Sequence, residues 1–330
     1  MNDLRGTNRF LEKWIFLILP FFMLIGLLSG EGIEYLSMLT PYLFMVLTFI
    51  SSFSADWRRF SDLLAKPWLM LVMTMMLHVL IPFCTLLIAG KIFSTEPDLV
   101  VGITLAMMLP IGVTSIFWVG MVQGNVTTAL SLVSLNTIVS PLILPFIFSF
   151  LLDSVIQVDT ASLVLNLLKL VLIPSALGMA AGEWIRKKGP FPVFMDSCSL
   201  TSKICLYLVV LFNAASISGN LELVSDKIVQ LAVTLFVFMV VGYLLHFGIS
   251  RCFAKDLETR IAVAYTGGIR NYTVGVVLAT TFFTPIVAFP ILLAMLLQHP
   301  IAMLFNLFFK KVKKSSTMKA AANCQTEMKA

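Results

Sequence analysis

The sequence predicts an all-α polytopic membrane protein with ten transmembrane helices in two inverted five-helix repeats. Three observations carry that prediction: the composition, the recurrence of apolar runs, and the side on which the basic residues fall. Of the 330 residues, 59% are hydrophobic and 12% are charged, and the mean hydropathy is +0.97. Soluble domains are about 45–50% apolar and about 25% charged. Lipid is therefore the solvent for most of the chain, and length does not count soluble domains here.

A helix needs roughly 20 mostly apolar residues to cross a hydrocarbon core of about 30 Å. Segments 14–30, 36–54, 68–90, 99–122, 126–152, 162–184, 200–218, 227–249, 258–282 and 285–309 meet that requirement and define a transmembrane domain over 1–309. The N-terminal MNDLRGTNRFLEKW leads into the first segment with no small-residue cleavage site after it, so it reads as a retained first helix. Residues 310–330, KKVKKSSTMKAAANCQTEMKA, are lysine-rich without an apolar stripe and read as a disordered cytoplasmic tail attracted to anionic lipid headgroups, not as a nucleic-acid binder. The five cysteines are scattered and never spaced CxxC or CxxH, which indicates neither a disulfide framework nor a metal site.

Basic residues orient the spans. Nineteen of the 23 Lys and Arg fall on one side of this arrangement, Lys91 and Lys227 fall on the other, and Lys169 and Arg270 lie inside spans. The bias repeats at alternate loops, so both termini are expected in the cytoplasm and the protein in the plasma (inner) membrane. Ten spans divide into two sets of five, and an odd number per set forces the second set to enter with opposite orientation. The fourth span of each set carries a helix-breaking stretch: Pro110-Ile111-Gly112-Val113-Thr114-Ser115 in one, Thr266-Gly267-Gly268-Ile269-Arg270-Asn271 in the other. Irregular backbone at membrane depth is tolerated only beside protein or a water-filled cavity, which makes matching breaks a pointer to a binding site; ordinary kinks are the alternative.

None of the 17 carboxylates lies in the middle of a span. Arg270 is thus a cation near a helix centre with no intramembrane carboxylate, at a cost of at least about 2.5–3.5 kcal/mol. Its available partners are backbone carbonyls freed by the breaks or an anion from solution. Lys169 reads as a snorkelling lysine whose stem reaches the interface. His78, His246 and His299 read first as packing residues, with proton carriage the alternative for His78. Thr114, Ser115, Asn125, Thr128, Asn136, Asn213, Asn271 and Thr273 could line a route between the halves. An intramembrane enzyme would need paired aspartates, HExxH, or a serine with a placed base in the spans, and none is visible.

These residues resemble the bile acid:sodium symporter family. The stretch from Pro110 to Gly124-Asn125, followed by Ser140-Pro141-Leu142-Ile143-Leu144-Pro145, is similar to the family's fourth and fifth helices. Asp56 to Pro67 with Pro82 matches its passage from the second helix to the third, and Gly268-Ile269-Arg270-Asn271 with Gly275 to Ala279 resembles its ninth helix. The resemblance implies a panel of spans 1, 2, 6 and 7, and a core of spans 3–5 and 8–10 with helices four and nine crossed at its centre. It also implies an organic anion as substrate, usually driven by two sodium ions. Where the family places sodium-binding side chains, this sequence has Leu77, Ile116, Ala129, Val133, Thr266 and Arg270, and only Ser115 remains. A sibling family that moves arsenite would carry a cysteine in span four, and none is there.

The sequence therefore points to a secondary transporter of a small organic anion, working by alternating access without a cofactor, with a non-transporting sensor or channel as the alternative. Arg270, Asn271, Ser115, Thr114, Thr266, Gly268, Gly112 and His78 are the candidate substrate-binding residues. No metal site is expected; oligomeric state, substrate identity and direction of transport are not legible. Reporters fused after Lys314 or placed between 186 and 203 are expected to read cytoplasm, and probes at 31–34 or 91–98 to read outside. Two adjacent loops reporting the same side would overturn the ten-span arrangement.

Overall fold

The computed structural model describes residues 2–54, 67–152, 160–189 and 191–327, and those residues are helical apart from short turns. Asp56, Arg58, Arg59, Lys66 and the loop 153–159 lie outside the described residues. The helices are α1 (Asn2–Lys13), α2 (Ile15–Ser29), α3 (Thr40–Ser51), α4 (Pro67–Met75), α5 (Ile81–Ile92), α6 (Pro97–Met108), α7 (Thr114–Met121) and α8 (Val126–Leu152) in the first part of the chain. They continue as α9 (Thr160–Leu167), α10 (Ile173–Lys188), α11 (Pro192–Ile217), α12 (Ile228–Ile249), α13 (Leu257–Gly268), α14 (Tyr272–Phe282) and α15 (Pro285–Glu327). One π-helical turn, Met76–Leu80, joins α4 to α5, and another, Leu168–Leu172, joins α9 to α10. Lys169 sits in the second of these turns with its side chain exposed.

Six helices among the described residues are by themselves long and apolar enough to cross a membrane, or seven if the bent pair Val126–Ser140 and Leu142–Phe148 counts as one. Fewer qualify than the ten segments in the sequence partly because two segments are divided. α6 and α13 have 12 residues each, α7 has 8 and α14 has 11. At 1.5 Å per residue none of these spans about 30 Å alone. The breaks are also narrower than the sequence suggested: Thr266, Gly267 and Gly268 complete the last turn of α13, and Thr114 and Ser115 open α7. At the other end, α15 does not stop at Lys310. Its Lys, Ala, Met and Gln residues favour helix and nothing after Pro300 breaks it, so the segment expected to be disordered continues as helix to Glu327.

Packing sorts the helices into two groups. In the first, α2, α3, α10 and α11 approach through glycines: Gly26 faces the Leu211 carbonyl and Ala214, Gly178 faces Phe49 and Ser52, and Gly182 faces Phe53. Small residues that let backbones touch are the usual device for helix contact in lipid, where no hydrophobic force favours association. α1 lies against α11 through Arg5 Nε to Asp196 Oδ2 at 2.8 Å and Asn8 Nδ2 to the Asp196 carbonyl at 2.8 Å.

In the second group, polar ties at both ends join the α6–α8 part to the α12–α15 part. At one end Lys227 Nζ is 2.6 Å from Glu96 Oε1, and Thr284 Oγ1 donates to Asp98 Oδ2 at 2.7 Å. The ammonium beside Glu96 holds its carboxyl below the usual carboxylate range. At the other end Asn125 N–H donates to the Glu258 carbonyl and Asn125 Nδ2 to Thr259 Oγ1, both at 3.0 Å. Lys313 Nζ completes that end with the Gln123 carbonyl at 2.8 Å.

Between these ends a Cβ added at Gly112 would stand 2.8 Å from the Arg270 carbonyl oxygen and 2.9 Å from Ile269 Cγ2, whereas one at Gly120 would meet nothing nearer than 4.0 Å. Gly112→Ala is therefore expected to lower the melting temperature of detergent-solubilised protein, with a cost of about 1–3 kcal/mol for overpacking. Gly120→Ala should melt like wild type. Equal melting of the two variants would contradict the close approach.

Candidate functional site

The breaks meet at Ile111 and Arg270, which form an isolated antiparallel β-bridge. Gly112 N–H donates to the Ile269 carbonyl at 2.9 Å and Asn271 N–H donates to the Pro110 carbonyl at 2.8 Å. Backbone that leaves a helix at membrane depth must find such partners, since lipid supplies none. The N–H groups of Ile111 and Arg270 point away from each other and are accepted by side chains: Asn136 Oδ1 on α8 at 2.7 Å, and Gln298 Oε1 on α15 at 2.8 Å.

His78 buttresses the first of these contacts. It is fully buried, with Nδ1 3.0 Å from the Met108 carbonyl that ends α6. Its Nε2 lies 2.9 Å from Asn136 Nδ2 and 3.0 Å from Ser140 Oγ. Because Asn136 Oδ1 accepts from Ile111, Asn136 Nδ2 is a donor, so His78 Nε2 accepts and its proton sits on Nδ1 facing the carbonyl. The ring is thus wired into the crossing as a neutral brace, the packing role given to it first.

Arg270 is 3% exposed, and its Nη1 is sealed with no hydrogen-bond partner among the described residues. It lines a cavity of about 220 Å³ between the crossing, α15 and the glycine-packed helices. Among the described residues no Asp, Glu or Lys lines that cavity. The lining combines aliphatic side chains such as Leu19, Leu47 and Val171 with hydroxyls such as Thr137, Ser175 and Ser202. α7 and α14 begin beside it, so two helix N-termini add partial positive charge near the guanidinium.

Of the eight residues expected from sequence, Gly112, Thr114, Arg270 and Asn271 line this cavity. His78 stands behind the crossing. Gly268 packs on the Tyr243 ring. Thr266 Oγ1 donates to the Ala262 and Val263 carbonyls of its own helix, and Ser115 is fully buried away from the lining. Of the other polar residues considered, Thr273 lines the cavity, Asn125 accepts from the Thr128 N–H at the start of α8, and Asn213 Nδ2 donates to the Val209 carbonyl. Sequence reasoning missed Gln298 and placed His299 only as packing, although both line the cavity. The available signal was a Gln-His-Pro interruption in an otherwise apolar span.

Three of the positions where the resemblance implies sodium ligands, Leu77, Ile116 and Val133, come together in space, and they are apolar. Leu77 and Val133 are buried in one cluster with Leu69, Met73, Ile111, Leu132 and Val263, and Ile116 packs against it. Ala129 is fully buried. Hard cations take about six oxygen ligands. The Thr266 hydroxyl donates its proton within its own helix and keeps its lone pairs, and Ser115 Oγ has no hydrogen-bond partner among the described residues, so these positions bring two side-chain oxygens. These residues do not fit sodium.

Comparison with known proteins points to one family of membrane proteins. Residues 40–227 match the Sodium Bile acid symporter family. The chain is 30% identical to the uncharacterized protein YbaS of Bacillus subtilis (strain 168), covering 92% of this chain and 99% of that protein. It is 25% identical to the uncharacterized sodium-dependent transporter YocS of the same organism, over 80% of this chain and 81% of YocS. It is also 25% identical to the probable chloroplastic sodium/metabolite cotransporter BASS2 of Oryza sativa subsp. japonica, over 71% of this chain and 54% of that protein. The chain belongs to the sodium bile acid symporter family, whose members are membrane transporters and not enzymes.

Proposed function

We propose that the protein is a secondary transporter of a small organic anion, in which Arg270 holds the anionic group and permanently supplies the positive charge that a bound cation would otherwise provide. One observation carries this reading: a buried arginine, Arg270, lines a cavity that has no carboxylate among its described lining residues. A charge in that position is stabilised by an opposite charge, and the solution side is where one can come from.

The broken segments complete a ten-span arrangement when α6 with α7 and α13 with α14 are each taken as one span. The antiparallel meeting of the two breaks supports two inverted repeats. The glycine-packed group and the tied core then serve as the two bodies whose relative movement gives alternating access, with both termini in the cytoplasm. Transport proceeds without sodium, because the apolar cluster offers no ligands and a second cation beside Arg270 would crowd like charges in low dielectric. A monoanion neutralises the loaded site, while the empty site keeps its charge. Return of the empty site is therefore the costlier step, and exchange of one anion for another is the favoured mode.

Proteoliposomes loaded with one member of a panel of organic anions and challenged with a labelled one test this directly. Uptake should be faster by counterflow than into empty vesicles. Arg270→Ala should weaken binding roughly a hundredfold or more while leaving the size-exclusion profile intact. Arg270→Lys should bind at an intermediate level, since the charge stays but the fork geometry goes. Unchanged binding in Arg270→Ala would refute the assignment, and saturable binding without uptake would make the protein a sensor.

A further inference from the structure

Each break hands one backbone N–H to a side-chain amide on the long helix that follows it. Ile111 is accepted by Asn136 Oδ1 and Arg270 by Gln298 Oε1, at 2.7 and 2.8 Å. A backbone N–H can only donate, so each bond fixes which end of the amide is oxygen and where its NH2 group must lie. The two halves then spend that NH2 differently. Asn136 Nδ2 donates inward, to His78 Nε2 at 2.9 Å. Gln298 Nε2 has no acceptor among the described residues, and Gln298 is 5% exposed on the same cavity wall as Arg270. His246 on α12 does not take it up: its Nδ1 is 2.7 Å from the Gly242 carbonyl, which leaves Nε2 as the acceptor, and Nε2 has no hydrogen-bond partner among the described residues.

We propose that Gln298 is a substrate-contacting donor: its Nε2 donates to the anionic group held by Arg270, while its Oε1 keeps the Arg270 backbone in place. This rests on the reading of Arg270 as the anion site. A carboxylate has two acceptor oxygens, and a guanidinium with a neighbouring amide offers donors to both. The amide adds no charge, so the pair remains matched to a single negative charge. A dianion would leave one charge uncompensated in low dielectric. The ligand class is therefore a monocarboxylate whose apolar body lies against aliphatic lining residues such as Leu19, Leu47 and Val171.

Equilibrium binding of labelled benzoate, pyruvate and cholate to purified, detergent-solubilised protein tests the assignment, with the ligand-free melting temperature of each variant as the folding control. Gln298→Leu should weaken binding of the best of the three by roughly tenfold or more. Gln298→Glu keeps an oxygen for the Arg270 N–H but turns the donor face into a negative charge, so it should fold and bind none of the three measurably. It also decides the matter if Gln298→Leu fails to fold. Wild-type affinity in Gln298→Glu would overturn the proposal, as would wild-type affinity in a folded Gln298→Leu. If Arg270→Ala loses binding and the Gln298 variants do not, only the role of Gln298 is wrong. If none of the three probes binds wild type, or Arg270→Ala binds normally, the anion site itself is wrong and Gln298 falls with it.

Discussion

The antiparallel pairing of Ile111 with Arg270 is the contact on which the rest of the site depends. Ending two helices inside a membrane frees backbone groups that lipid cannot satisfy. The two breaks solve this mutually, through the Gly112–Ile269 and Asn271–Pro110 hydrogen bonds, and two side-chain amides take what is left. Gly112 follows from the closeness of the strands, because a side chain there would strike the Arg270 carbonyl. His78 follows from the need to cap Met108 and to orient Asn136. The consequence for chemistry is that one residue on the cavity lining, Arg270, is held by its backbone on both sides of the crossing.

Two features that look unrelated in sequence then become one. An arginine enters the crossing, and the neighbouring positions implied to hold sodium turn into Leu77, Val133 and Ile116. On the proposed reading a resident guanidinium makes a mobile cation redundant and electrostatically unwelcome. Oxygen ligands left without a cation would be buried and unsatisfied, at a cost of about 1–3 kcal/mol each, so apolar replacement is what removal of the ion demands. On the proposed reading the same substitution would change the energetics of transport, because a tethered charge cannot dissociate with the substrate.

The membrane class, the broken fourth and ninth segments and the isolation of Arg270 were legible because each depends on local composition: apolar length, Gly and Pro, and the position of charges. The division of labour among polar residues was not. Ser115 and Thr266 look like ligands in a string of letters, yet one is buried off the cavity and the other bonds to its own helix turn. Gln298 looks like an isolated polar residue until α15 is placed beside the ninth segment, when its oxygen proves to be committed to the Arg270 backbone and the residue to line the cavity. Such roles are set by contacts across 28 or 25 residues of sequence, as between Gln298 and Arg270 or Asn136 and Ile111, and no periodicity records them. The continuation of α15 past Lys310 was missed for a different reason: a lysine-rich composition was read as solvated coil, although its residues are good helix formers.

The central claim is that a tethered guanidinium has replaced the bound cation. The most direct measurement is the affinity of one transported anion in sodium against choline at fixed ionic strength and pH, in wild type and in Arg270→Gln. The account predicts the same affinity in both salts for wild type, and loss of affinity in Arg270→Gln that sodium does not restore, because Leu77, Val133 and Ile116 still fill the place of the ligands. A steep gain in wild-type affinity with sodium would contradict it, since backbone carbonyls would then be rebuilding an ion site beside Arg270.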